Sequence, residues 1–384
     1  MKLAFQLAYR NLLGAGLRTW LNVGVLSFAF VIIIFYNGWI DGWNQQARRD
    51  SIAWQYGFGQ LQVATFDPFD PFSITDAHAA LPAEDDHLTP VLLRLGTLYP
   101  QGRTMSIVVK GIDVNQTVVD LPTSALTASK SDLPAIIGEQ MALASHLRTG
   151  DEVLLRWRDI HGTFDAATVT IASVFPNQVP GIDKGQIWVS LKKLQDMTLM
   201  PDEATYFIAD ANFQHTEIAG WKYRSQEDLL YEINNIIKMK KMGGSVMYLL
   251  LLAIALLAIF DTQVLSVFRR QKEIGTYISL GMTRQQVVGL FTVEGAMTSI
   301  FAAVLGALYG TPLLGWIAHT GIAVPMNSQD LGIPIADRMY PVFGLSLILA
   351  TLMLVVISAT IVSFLPSRKI AKMDPVQALK GKIQ

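Results

Sequence analysis

No cysteine occurs in the 384 residues, which excludes disulfide bonds, thiolate metal ligands, a cysteine nucleophile and a lipid-modified N-terminal cysteine. Patterns that carry common enzyme chemistry are missing too. There is no G-x-S-x-G elbow and no H-E-x-x-H pair, and His78, His87, His146, His161, His215 and His319 are scattered without ligand spacing. The phosphate-binding pattern G-x-x-x-x-G-K-[ST] is absent, so an ATP-driven step has to draw on another chain. Neither catalysis nor a cofactor or metal is therefore expected in this chain, and no nucleic-acid partner. Charge is also scarce: Asp, Glu, Lys and Arg make up 16% of the residues, whereas 51% are hydrophobic. That balance is too apolar for a soluble enzyme of this length and points to a bilayer.

A hydrocarbon core of about 30 Å takes about 20 apolar residues in a helix to cross. Four runs qualify. Residues 19–40 carry no charge between Arg18 and Asp41, and residues 342–365 none between Arg338 and Arg368. Residues 245–268 hold one acid, Asp261, and residues 285–318 one acid, Glu294. At about 1.5 Å per residue the third run would reach about 51 Å, so it is expected to tilt, to bend near Pro312 or to project beyond the lipid.

Lys and Arg in short flanking segments mark the cytoplasmic side. Residues 1–18 hold Lys2, Arg10 and Arg18 with no acid; residues 269–284 hold Arg269, Arg270, Lys272 and Arg284 against Glu273. Residues 366–384 add Arg368, Lys369, Lys372, Lys380 and Lys382 against Asp374. Both termini are thus expected inside, residues 319–341 form a short outer loop, and residues 41–241 lie outside. This last segment carries 17 Lys and Arg against 25 Asp and Glu, an acidic exterior opposed to a basic interior. The first run is too long for a signal peptide, and Trp20 with Trp39 and Trp43 suits the two interfacial belts of a true span.

Residues 41–241 mix strand-like and helix-like patterns and predict an extracytoplasmic α+β domain. Strands are expected at 59–65, 106–112, 152–157, 168–175 and 186–189, and helices at 139–147 and 191–197. The stretch 66–81, with Asp67-Pro68-Phe69-Asp70-Pro71-Phe72, reads as a turn-rich aromatic loop, and Glu84-Asp85-Asp86-His87 as a solvated acidic one. Apolar Leu229, Leu230, Ile233, Ile236 and Ile237 predict a helix over 224–242 that continues into the second span, and residues 41–54 extend the first span outward. Two helical stalks result.

Between the second and third spans, residues 273–280 can form two helical turns that Gly281 stops in a left-handed cap. Thr283 and Gln286 have capping-box spacing for the next helix. This loop, Arg270-x-Lys272-Glu273-Ile274-Gly275 followed by Leu280-Gly281, resembles the R-x-x-E-I-G…L-G signature of the FtsX-like permeases, which include MacB and the lipoprotein-releasing LolC and LolE subunits. The tail Pro366-x-Arg368-x-x-Ala371-x-x-Asp374-Pro375-x-x-Ala378-Leu379 is similar to the family's C-terminal pattern, and Ala8-Tyr-Arg-Asn-Leu-Leu13 with Arg18-Thr19 to its entry helix. Gly138-Glu139 to Gly150-Asp151 and Ile171 to Phe175 resemble its MacB-like periplasmic core domain. Asp261 stands where the family commonly has Asn, and Gly14-Ala15-Gly16 replaces a more basic stretch.

The resemblance implies a bacterial inner-membrane permease subunit with four transmembrane helices. Two chains, identical or related, would sit on two copies of a cytoplasmic ABC ATPase that holds the ATP and Mg. Residues Glu273, Ile274, Gly275, Tyr277, Leu280 and Gly281 would form the ATPase-coupling helix. Mechanotransmission to the outer domain would then drive lipoprotein or lipid release, or export, with a periplasmic carrier, adaptor or lipoprotein as partner; Phe69 and Phe72 are candidate contacts. The alternative implied is a regulatory scaffold that activates a cell-wall hydrolase. Asp261 and Glu294, costly inside lipid, are expected to be structural: Asp261 within reach of Arg18 or Arg269, Glu294 facing a neighbouring helix. Gly306-x-x-x-Gly310 reads as a close-packing face.

Overall fold

Long apolar runs in lipid can satisfy their backbone groups only within a helix, and all four runs are helical in the computed structural model, which describes residues 16–68, 70–80, 85–176, 183, 185–214, 217–323 and 338–372. Apart from single turns, the helices are α1 Leu17–Ser51, α2 Glu139–Ser145, α3 Leu191–Thr198, α4 Tyr231–Arg269, α5 Gln271–Ser279, α6 Arg284–Thr320 and α7 Leu345–Ser367. Of these α1, α4, α6 and α7 are long and apolar enough to cross a membrane. The chain divides into a helical unit (1–42, 237–322, 340–384) and an α+β unit (43–236, 323–339), and the division falls inside α1 and inside α4.

In the helical unit, Leu26, Phe30 and Ile33 of α1, Leu252, Ala255 and Ile259 of α4, Ala302 and Leu314 of α6, and Val355 and Ala359 of α7 form one core. Lipid is as apolar as leucine, so packing and polar contacts hold such helices together. The Asn22 amide donates to the Ala258 carbonyl at 3.0 Å and to Thr262 Oγ1 at 2.9 Å, joining α1 to α4. The same two helices are joined again by the Asp41–Lys241 ion pair and by the Tyr36 hydroxyl, which donates to the Lys240 carbonyl at 3.1 Å. Gly243 and Gly244 lie within α4; a Cβ at Gly244 would collide with the Tyr36 ring. Pro312 lies inside α6, whose 37 residues span about 56 Å, well beyond the hydrocarbon thickness of about 30 Å.

The α+β unit is built on strands β1 Gly59–Val63, β2 Leu88–Leu98, β3 Met105–Ile112, β4 Pro134–Gly138, β5 Glu152–Arg158, β6 Phe164–Phe175, β7 Gln186–Ser190, β8 Tyr206–Ala209 and β9 Trp221–Ser225. They form one sheet in the order β9-β1-β8-β2-β3-β7-β4-β6-β5, and β5 pairs back onto β2 through Gly96 with Trp157 to Leu98 with Leu155. Six strands therefore close a ring. One face of each contributes to a single core, with Leu98, Val109, Ile137, Leu155, Ile171 and Val189 among its members and Met141 of α2 and Leu194 of α3 packed against them. Strand β5 shows the period-2 rule plainly, with Val153, Leu155 and Trp157 buried and Glu152, Leu154, Arg156 and Arg158 exposed.

Strands β2, β4, β8 and β9 go beyond the expected set, and the start of the helix expected from Arg224 needs correction. Strand β2, in the middle of the sheet, was not anticipated: most of its residues are buried, so it reads as a near-continuous apolar run, and Pro90 within it argues against a central strand. Its Arg94 is buried and donates to the carbonyls of Ile74 and Thr75 at 3.4 and 3.0 Å. The helix expected from Arg224 begins later, because Trp221–Ser225 pairs along the whole of β1. A Ser225–Asp228 capping box then opens the single turn Gln226–Leu229, and α4 follows at Tyr231.

The opposite face of the sheet packs Val91, Leu93, Ile112, Ile136, Trp188, Tyr206 and Ile208 together. Lys110 sits in register between Leu93 and Trp188, with its amine 4.7 Å from the Trp188 ring centroid, and burial pushes that amine down to about 8.

Gly138 precedes α2 where a side chain would collide with Asp183, whose carboxylate accepts from the Gln140 amide at 2.6 Å. Burial outweighs these backbone bonds and raises the Asp183 carboxyl to about 6. A carboxyl with its folded-state value raised is easiest to bury as the acid. Its contribution is thus present below about pH 4 and lost as pH rises through about 6. The α+β unit should lose about 2–3 kcal/mol of stability from this group over that interval. Chemical denaturation at pH 4 and pH 7 checks it, and Asp183→Asn should flatten the dependence.

Candidate functional site

Short α5 lies between two spans because local signals stop the chain on both sides of it. Arg270 stands at its N-cap, and at its end the Leu280 amide bonds to the Thr276 carbonyl and the Gly281 amide to the Ile278 carbonyl, at 2.9 and 3.1 Å. Gly281 adopts φ +98°, which other residues reach only with strain. The Thr283–Gln286 capping box, with both side-chain bonds formed, then opens α6.

One face of α5 is fixed to the helical unit. Ile274, fully buried, packs with Val267 of α4, with Val287, Val288 and Phe291 of α6, and with Ile370 beyond α7; Tyr277 and Ile278 are half-buried against the same cluster. Ile274 and Gly275, expected among the ATPase contacts, are both buried in this single chain. Lys272, Glu273, Thr276, Ser279 and Leu280 form the exposed face, and Leu280, at 78% exposure, is its one large apolar side chain. Ile274→Asp would therefore test folding and not an interface.

Arg270 joins three elements. Its Nη1 donates to both carboxylate oxygens of Glu294 on α6, at 3.0 and 2.9 Å, and its Nε to Glu273 of α5 at 2.7 Å. The guanidinium carbon lies 4.8 Å from the Phe291 ring centroid. Burial alone would lower the Arg270 pKa, but Glu294 and Glu273 more than offset it, and the group is held firmly as a cation. Glu294, expected to face a neighbouring helix, is thus largely buried and serves to pin the α4–α5 junction to α6. Sequence reasoning placed Arg270 in a signature without giving it this function. The signal available was an intramembrane acid with one turn of basic residues nearby.

The other expected residues lie apart. Gly306 and Gly310 are buried on α6 against α1, where a Cβ would lie 3.0 Å from Phe30 and 2.9 Å from Val31 respectively, a close-packing face. Asp261 is on the exposed side of α4; of the two partners expected for it, Arg269 is likewise exposed and the Arg18 side chain is outside the described ones. Phe72 is 81% exposed at the start of the turn Ser73–Asp76, whereas Phe69 is outside the described residues. Among the described residues no group of three or more His, Asp or Glu side chains could hold a metal ion. What the arrangement provides is a clamp between α5 and α6.

These features define a multi-span membrane protein with a short amphipathic helix clamped between two spans. Residues 245–375 match the family described as FtsX-like permease C-terminal, so the chain carries an FtsX-like permease domain and the resemblance holds. It is similar to the lipoprotein-releasing system transmembrane protein LolC of Haemophilus influenzae, with 22% identity over 271 residues that cover 65% of each chain. LolC of Neisseria meningitidis serogroup B is 24% identical over 49% of this chain and 45% of its own. The macrolide export ATP-binding/permease protein MacB of Wolinella succinogenes is 24% identical over 43% of this chain and 23% of its own. The chain thus spans less than two thirds of the length of these relatives.

Proposed function

We propose that this chain is the permease subunit of an ABC transporter, in which α5 receives the movement of a separate cytoplasmic ATPase and the spans pass it to the α+β domain. The observation that carries the reading is the Arg270 clamp. A helix fixed to α4 and α6 by a buried ion pair and by Ile274, yet presenting Glu273, Thr276 and Leu280 to its surroundings, transmits force applied at its outer face. The basic flanks of residues 269–284 and 366–384 favour a cytoplasmic position for α5 and an extracytoplasmic one for the α+β unit in a bacterial inner membrane. ATP and Mg are then held by the ATPase, in two copies, beneath a pair of permease chains. Similarity to LolC and MacB supports lipoprotein or lipid release, or export, as the work done.

Leu280→Asp with Thr276→Arg should abolish co-purification of the ATPase, while membrane insertion and the melting profile stay as in the wild type, since both side chains are exposed and neither belongs to the Arg270 clamp. Wild-type recovery of the ATPase by that variant would remove α5 from the contact. A cell-wall hydrolase co-purified in place of lipid or lipoprotein would turn the reading toward the regulatory scaffold.

A further inference from the structure

An open groove of about 820 Å³ runs between the start of α6 and the end of α7, within the size range of ligand sites. Its walls divide by chemistry. Val288, Val293, Phe364 and Leu365 supply an apolar side, and Arg368 and Lys369 stand at one end, with no acid among the lining residues. Both cations are exposed, and among the described residues neither makes an ion pair. The Arg368 guanidinium lies over the Phe364 ring at 5.7 Å from its centroid, which keeps the charge beside the apolar wall.

We infer that this groove holds an anionic phospholipid of the surrounding leaflet, with its phosphate on Arg368 and Lys369 and an acyl chain along Phe364, Leu365 and Val293. Two facts select a lipid over other occupants. The cations follow immediately on the apolar run Leu345–Ser367, the depth at which headgroups meet a membrane helix. An apolar wall and a cationic end in one groove also match the two halves of a lipid, whereas a free anion uses only one of them. The lining residues come from α6, α7 and the turn Arg368–Lys372, so a seated lipid would brace the base of α6, the helix that carries Glu294. The assignment does not depend on the ATPase reading.

The test uses the full chain reconstituted with equal amounts of phosphatidylglycerol and phosphatidylethanolamine, extracted in mild detergent and measured by native mass spectrometry. The wild type should retain phosphatidylglycerol preferentially. Arg368→Gln with Lys369→Gln should retain on the order of 30-fold less of it, since each surface cation near an anionic headgroup contributes about one factor of five. Arg368→Lys with Lys369→Arg, which keeps the charges, should retain it, and so separates lost binding from lost folding. Equal retention of the two lipids by the wild type, or unchanged retention by the Gln variant, overturns the assignment. So does displacement of the lipid by inorganic phosphate, or a Gln variant that keeps lipid and loses the ATPase.

Discussion

Arg270→Ala should cost about 3 kcal/mol and loosen α5 from the helical unit. The substitution leaves Glu294 as a charge without its guanidinium, and breaking a buried ion pair from one side costs roughly 3–5 kcal/mol. The side chains retain 19% and 12% exposure, which places the effect at the low end of that range. Loss of the contact with Phe291 adds to it. Glu273→Ala removes the other carboxylate on the same guanidinium, but that one is 53% exposed and its loss should stay within about 1 kcal/mol. Thermal unfolding in detergent separates the two variants, and limited proteolysis within residues 271–283 reads the loosening directly. Equal melting of Arg270→Ala and Glu273→Ala would show that the Glu294 pair does not anchor α5.

Lys110→Met should act in the opposite direction and stabilise the α+β unit by about 2–3 kcal/mol at pH 7. Burial depresses the amine from 10.5 to about 8, so at neutral pH the fold keeps a charge in an apolar setting. The penalty for that charge is complete below about pH 8 and vanishes as pH rises past the unfolded value near 10.5. Methionine fills a similar volume between Leu93 and Trp188 without it. The gain measured by denaturant unfolding should therefore shrink between pH 8 and pH 10.5. A gain that is absent at pH 7, or unchanged with pH, would mean that Lys110 is solvated in the folded chain.

Local chemistry explains which parts of the fold were legible in the sequence. The ends of α5 were readable because Gly281, Thr283 and Gln286 encode their own backbone geometry within a few residues. Strand β5 was readable because only one of its faces is buried, so Val153, Leu155 and Trp157 alternate with polar or exposed neighbours. Strand β2 has no such alternation, and its Pro90 misleads. Glu294 stood out as an acid in an apolar run, but its pairing with Arg270 is a tertiary fact that no local pattern contains. Ile274 shows a different failure: a family signature identifies the segment without saying which side faces in. Helical spacing did contain that answer, since Ile274, Tyr277 and Ile278 share one face and Lys272, Glu273, Thr276 and Ser279 the other.

Ring closure in the α+β unit also limits how a partner can be recognised there. Strand addition, in which an extended peptide borrows the hydrogen-bonding margin of a sheet, requires a strand with an unused side. Each of the six ring strands has a neighbour on both sides over part of its length, and among the described strands of this sheet only Trp221–Ser225 is paired on one side alone throughout. A partner gripped through its main chain has the free side of that five-residue strand, and on the ring only stretches such as residues 164–169, which pair with β5 alone, to zip onto; contact elsewhere on the ring has to be read through side chains.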